Sequence, residues 1–251
     1  MAVHATVRPG YHQVKTRAQM SRHTLPTDPS IEITLRRSKA ARRFSLRVSR
    51  IDGAVTLSMP LHARDAEALG FAAGQADWLR RALARARAVQ TVGIGSVIPV
   101  EGVAVPVVGG AVRSVRMEAG ALVVPDDPAR AGARVAAYLR LRARQRLQAE
   151  SERYAVILGL RFTRITLRDT RSRWGSCAPD GSLMYSWRLV LAPPEVLSYV
   201  AAHEVAHLAE MNHSARFWAV VARLMPNYER HRRWLKAHGT GLHAYDFGAR
   251  E

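Results

Sequence analysis

Cysteine is almost missing from this chain: Cys177 is the only one in 251 residues. An internal disulfide is therefore impossible and a ribbon of paired cysteines around zinc is excluded. The composition suits a reducing compartment, so a cytoplasmic location is expected. Lysine is nearly as scarce, with only Lys15, Lys39 and Lys236. The 38 basic residues are thus almost all arginine, and against 20 acids they leave a net charge of +18. Such a surplus serves polyanion binding, phosphate recognition or attraction to acidic partners. Because the arginines are spread along the chain, the base composition of a genome accounts for them equally well. No run approaches the ~18 consecutive apolar residues of a membrane span, and no apolar signal core stands near the start, so a membrane is not an expected partner. Internal repeats and low-complexity tracts are also absent. What remains is an ordinary globular composition, 48% hydrophobic and 23% charged, long enough for a substantial core in one large domain or two modest ones.

The periodicity predicts an α+β fold. Residues 1–27 carry Arg8, Lys15, Arg17 and Arg22 without an acid and read as a basic, disordered leader. Alternation over Ile31–Arg36, Phe44–Val48 and Val55–Met59, with a turn at Asp52-Gly53, predicts three short antiparallel strands. Arg36, Arg37, Lys39, Arg42 and Arg43 crowd the first connection. Ala63–Gln90 reads as one helix with an apolar stripe that includes Leu69, Leu79 and Leu83, and with Trp78 in the core. Strands follow to Val124, with a hairpin expected at Gly109-Gly110. A long helix spans about Ala129–Leu158, its arginines expected on a solvated face. A further strand pair, Phe162–Arg168 and Ser182–Leu191, carries a hairpin turn at Asp180-Gly181. An exposed edge in that sheet is able to accept a peptide as an added strand.

The chemistry concentrates in His203-Glu204-Val205-Ala206-His207. Two histidines four apart on a helix share a face and reach one ion, while the glutamate between them lies beside it. That is the H-E-x-x-H arrangement of zinc hydrolases, in which Zn²⁺ holds water and the glutamate acts on it. Pro193-Pro194-Glu195 opens the helix, and its apolar flanks bury it. His213, six residues on, leads as third ligand, with Glu210, His231, His238 and His243 as rivals. Met211-Asn212 makes the corner, Asn being tolerant of the left-handed conformation, and Ser214 then caps a helix over Ala215–Met225 stopped by Pro226. A last helix covers Asn227–Ala237.

Three further stretches accompany this motif: Arg171-Ser172-Arg173-Trp174-Gly175-Ser176-Cys177, Trp187–Pro194, and Asn212-His213-Ser214 with Phe217-Trp218. Together with Met225-Pro226-Asn227-Tyr228 they resemble the YgjP-like metallopeptidases, bacterial relatives of the SprT-like and minigluzincin-type zinc proteins. The resemblance is strong from about Thr163 to His238 and looser upstream to Ile31. It implies His203, His207 and His213 as ligands of Zn²⁺, Glu204 as general base, and a zincin-like hydrolase domain over 126–251 behind a strand-rich part over 28–125. Arg171, Arg173, Trp174, Gly175 and Ser176 are the candidate substrate-binding stretch.

Three functions are open at this point. The first is a zinc-dependent peptidase, with Arg173, His231 or Tyr245 as donor to the oxyanion. The second is a metal-dependent nucleotide pyrophosphohydrolase, because Arg171, Arg173 and Arg188 suit phosphate oxygens. The third is a nucleic-acid-associated protease or binding module that uses the basic surface.

Overall fold

The computed structural model describes residues 20–49, 52–84 and 89–248. It divides the chain into two compact units, Met1–Ala86 and Arg87–Glu251.

The first unit contains β1 (Met20–Leu25), β2 (Asp28–Arg37), β3 (Ser45–Val48), β4 (Val55–Met59), α1 (Asp65–Ala73) and α2 (Ala76–Ala84). Part of the expected leader is therefore β1, which pairs with β2 and buries Leu25; residues 1–19 of that expectation lie outside the described residues. The sheet order is β1-β2-β4-β3. β3 and β4 are antiparallel as predicted, but β2 and β4 run parallel. Burial explains the order. Ile31, Ile33 and Leu35 on β2 and Val55, Leu57 and Met59 on β4 are all buried, so these two strands take the centre and half-exposed β3 takes an edge. The predicted single helix is two. Gly70 and Gly74 weaken the continuous path, and Gly74 caps α1 before α2 begins. Trp78 is 41% exposed and not a core residue.

The second unit opens with β5 (Gln90–Thr91), β6 (Val97–Val100), β7 (Val103–Gly110), β8 (Arg116–Glu118) and β9 (Ala121–Pro125). Gly109-Gly110 ends β7 and makes no hairpin; the tight turns are Glu101-Gly102 and Ala119-Gly120, where both residues of each pair have positive φ. β7 and β9 are parallel neighbours in the order β6-β7-β9-β8. These strands bury Val105, Val107, Leu122 and Val124 in one core with Val135, Leu139 and Leu147 of α3 (Pro128–Leu158). The expected division at 125/126 thus cuts a continuous core, and the boundary falls at 86/87. The arginines of α3 are not simply solvated. Arg142 and Arg146 each grip both oxygens of Glu101, and Arg144 donates to the Ile165 carbonyl.

Next come β10 (Arg164–Arg168), β11 (Gly175–Cys177) and β12 (Ser182–Ser186), in the order β10-β12-β11. The predicted Asp180-Gly181 turn exists, but it joins β11 to β12, and β10 lies parallel to β12 on the far side. β11 is therefore an edge. The strand predicted to reach Leu191 stops at Ser186, and Trp187–Leu191 is a 3-10 turn whose Trp187, Leu189, Val190 and Leu191 are all buried. Burial on every side suits a turn sunk in the core better than a two-faced strand. Helices α4 (Pro194–Ala206), α5 (Ala215–Leu224) and α6 (Tyr228–His238) follow, then β13 (Tyr245–Asp246), which pairs with β5.

Candidate metal centre

α4 starts with Pro194 in its first turn and Glu195 beside its unpaired amides, where an acid is favourable. The helix ends at Ala206, and His207 is its C-cap, still in right-handed helical conformation. His203 and His207 therefore keep the one-turn relation that the sequence predicted. The chain then reverses through Leu208–Asn212, where the Glu210 amide bonds to the Ala206 carbonyl and the Ser214 amide to the Asn212 carbonyl. Neither Met211 nor Asn212 adopts positive φ, so the corner is made by hydrogen bonds and not by a left-handed residue. Ser214 caps α5 by accepting from the Phe217 amide. That corner delivers His213 to the other two histidines.

Nitrogens of His203, His207 and His213 lie within 4.8 Å of one another. Nε2 of His203 is 3.0 Å from Nε2 of His213. A tetrahedral ion with nitrogen ligands at about 2.0–2.1 Å sets them about 3.3–3.4 Å apart, so small adjustments bring the rings to one ion. Phe217 of α5 is fully buried and touches all three rings, stacking on His207 at 4.4 Å between centroids. The Nδ1 of His207 lies 3.0 Å from the Glu210 carbonyl, which makes Nδ1 the donor and leaves Nε2 free to ligate. Burial, then the neighbouring His207 and His213, push His203 down to about 3, and burial also lowers His207. Neutral imidazole is the ligating form.

Glu204 is 5% exposed, and burial pushes its carboxyl up to about 8, with Arg173 opposing. It is packed against Gly175 of β11. A Cβ built at Gly175 would stand 2.5 Å from Oε1 and 2.6 Å from Cγ of Glu204, so the absence of a side chain at 175 makes the carboxyl's place. Two cavities of about 230 Å³ meet there and share Gly175, His203 and Glu204. One is lined further by Ser176, Cys177, His207, Met211 and His213. The other is walled by Trp174, Tyr199, Val200 and Leu235.

Of the other sequence candidates, Trp174, Gly175 and Ser176 line these cavities, and Arg173 is close enough to act on Glu204. Arg171 is exposed and lines neither cavity. Arg188 is spent elsewhere: it holds both Asp169 oxygens at 2.6 and 2.9 Å and donates to the Leu242 and Tyr245 carbonyls. The rival ligands are occupied too. Glu210 pairs with Arg216, His238 bonds to the Trp234 carbonyl, and buried His243 stacks on Trp174. His231 lines a larger groove of about 640 Å³ beside Pro193, Glu195 and Trp234, which contains none of the three clustered histidines. Tyr245 lines neither of the cavities at Glu204. Sequence reasoning missed Tyr199 and Leu235. Tyr199 was within reach of it, being one turn before His203 on the same face of α4.

A family model described as a YgjP-like metallopeptidase domain matches residues 42–238. The chain belongs to the YgjP-like family. This YgjP-like chain matches no curated protein. Among solved structures it is similar to the crystal structure of the metallopeptidase zymogen of Pyrococcus abyssi abylysin, at 20% identity and a TM-score of 0.33, over 36% of this chain and 93% of that one. Among the described residues, no helix is long and apolar enough to cross a membrane.

Proposed function

We propose that this YgjP-like protein is a zinc-dependent peptidase with His203, His207 and His213 as ligands and Glu204 as its proton-handling group. The observation that carries the reading is the convergence of three imidazole nitrogens within 4.8 Å, next to a buried carboxyl. The residues fit an ion: burial favours the neutral form of His203 and His207, the His207 tautomer is fixed by the Glu210 carbonyl, and three ligands leave a position open, as catalytic sites require. When bound there, Zn²⁺ supplies a Lewis acid for the scissile carbonyl and acidifies water.

The chain's own groups do the rest. Glu204 takes the proton of the attacking water on its carboxyl and passes it to the amine nitrogen as the peptide bond breaks. Its packing against Gly175 keeps the carboxyl beside the three histidines for both transfers. Arg173, whose charge acts on Glu204, is the cationic candidate to stabilise negative charge on the carbonyl oxygen. Edge strand β11 presents Gly175, Ser176 and Cys177 along the cavities, so an extended peptide adds to the sheet with its backbone across the centre.

Peptide is favoured over a phosphoanhydride because Arg188 is bound up in the fold and the cavity beside Glu204 is walled by aromatic and aliphatic side chains. The test is to assay zinc-loaded protein on an unfolded protein and on nucleoside triphosphates side by side, with Glu204→Gln and His207→Ala. Cleavage by wild type alone, zinc retained in Glu204→Gln and zinc lost in His207→Ala support the proposal. Phosphate release without peptide cleavage, or turnover retained by Glu204→Gln, refutes it.

A further inference from the structure

We infer that the cavity walled by Trp174, Tyr199, Val200 and Leu235 is a specificity pocket for one uncharged apolar side chain next to the scissile bond. This rests on the peptidase reading above and adds the substrate class. Position comes first. The cavity shares Gly175, His203 and Glu204 with the histidine-lined one, so a peptide whose carbonyl sits at the centre puts an adjacent side chain into it.

Size narrows the occupant. An apolar cavity of about 150 Å³ holds a benzene ring, while drug-sized ligands need about 300 Å³ or more. At about 230 Å³ this one takes a single leucine, methionine or phenylalanine side chain. Charge narrows it further. Apart from His203 and Glu204, which belong to the floor shared with the histidine-lined cavity, the lining is Trp174, Gly175, Tyr199, Val200 and Leu235 and carries no charged group. A charged side chain would give up its water against the aromatic and aliphatic walls, which offer it no ion-pair partner.

The walls are also fixed in advance. Trp174 stacks on buried His243 at 5.0 Å and 29°, and it passes so close to Gly239 that an added Cβ there would stand 3.0 Å from its ring. Tyr199 stacks on Tyr228, which stacks on Trp218. A pocket that cannot collapse around a small side chain discriminates by the methylenes left unfilled.

The experiment is titration calorimetry of the full-length, zinc-loaded protein with N-acetyl hydroxamates of alanine, leucine, phenylalanine and lysine. Leucine and phenylalanine should bind at least tenfold tighter than alanine, with lysine no better than alanine. Leu235→Trp, which fills the cavity, should bring leucine and phenylalanine down to the affinity of alanine on the same variant, with its melting temperature confirming its fold. Equal binding across the series on the unaltered protein, or a preference for lysine, overturns the pocket while leaving the metal centre intact. Failure of every hydroxamate to bind overturns the metal centre and the pocket together.

Discussion

Gly175→Ala adds one methyl group and tests how the Glu204 carboxyl, the proposed proton carrier, is held. The backbone at 175 needs no left-handed conformation, so the added carbon is the whole perturbation. It would arrive 2.5 Å from Oε1, 2.6 Å from Cγ and 2.7 Å from Cδ of Glu204, where ordinary contacts begin at 3.4 Å. The carboxyl must therefore retreat by about 1 Å, and a misplacement of that size costs about 10²-fold in rate. Because Cγ is struck as well as the oxygen, rotating the end of the side chain gives no escape. Overpacking of this kind costs about 1–3 kcal/mol of stability. The histidines keep their places, so zinc content should remain that of wild type. Turnover of a fluorogenic unfolded protein, elemental analysis and thermal melts give the three readouts. The sharpest check is a double-mutant cycle in stability. If the methyl group clashes with Glu204, its destabilisation should largely vanish in a Glu204→Ala background. Additive effects in the cycle, or full activity of Gly175→Ala, would falsify the placement of Glu204 against β11.

Glu101 carries a pH prediction. Burial pushes its carboxyl up, but the paired bonds from Arg146 and Arg142 outweigh that and hold it at about 2 against an ordinary 4.5. The resulting stabilisation, on the order of 1–2 kcal/mol once solvent screening at half-exposed Arg146 is allowed for, is complete above pH 4.5 and is lost as pH falls toward 2. Melts across that window should show Glu101→Gln with a shallower acid limb than wild type, and parallel limbs count against the ion cluster. Gly132→Ala reverses a familiar sign. Alanine usually stabilises a helix interior by about 0.5–1 kcal/mol, yet here its Cβ would lie 2.5 Å from the Val92 carbonyl oxygen and 2.7 Å from that of Phe247. The melting temperature should fall by about 5 °C or more, and an unchanged value would show that the chain around Val92 and Phe247 yields freely. His203→Ala should lose zinc as His207→Ala does, measured by elemental analysis after dialysis, and stoichiometric zinc in that variant removes His203 from the ligand set.

The site was more legible than the fold, for a physical reason. A histidine pair one helical turn apart is a local property, and the reach from His207 to His213 is short enough for spacing to propose it. The sheets are not local. Alternation in Ile31–Leu35 and Ile165–Leu167 tells which face is buried but not which strand lies alongside, and so an antiparallel order along the chain misses the parallel neighbours β2–β4 and β10–β12. The boundary at 125/126 looked natural because Pro125–Pro128 breaks the pattern. Nothing in composition reveals that Leu122 and Val124 share a core with Leu139. Arg142 and Arg146 read as solvent-facing for the same reason: Glu101, their partner, is some 40 residues away in sequence.

Cys177 offers the experimenter a vantage point. The lone thiol of the chain lies along the same recess as His203, His207 and His213, half-buried and pushed up to about 11 by burial and by Glu204. A small mercurial or nitroxide attached there would sit beside any paramagnetic cobalt substituted for zinc, and its spectrum would report occupancy without a second engineered label. Reaction at neutral pH should be slow, because few thiolates are present, and a ligand seated in the recess should slow it further.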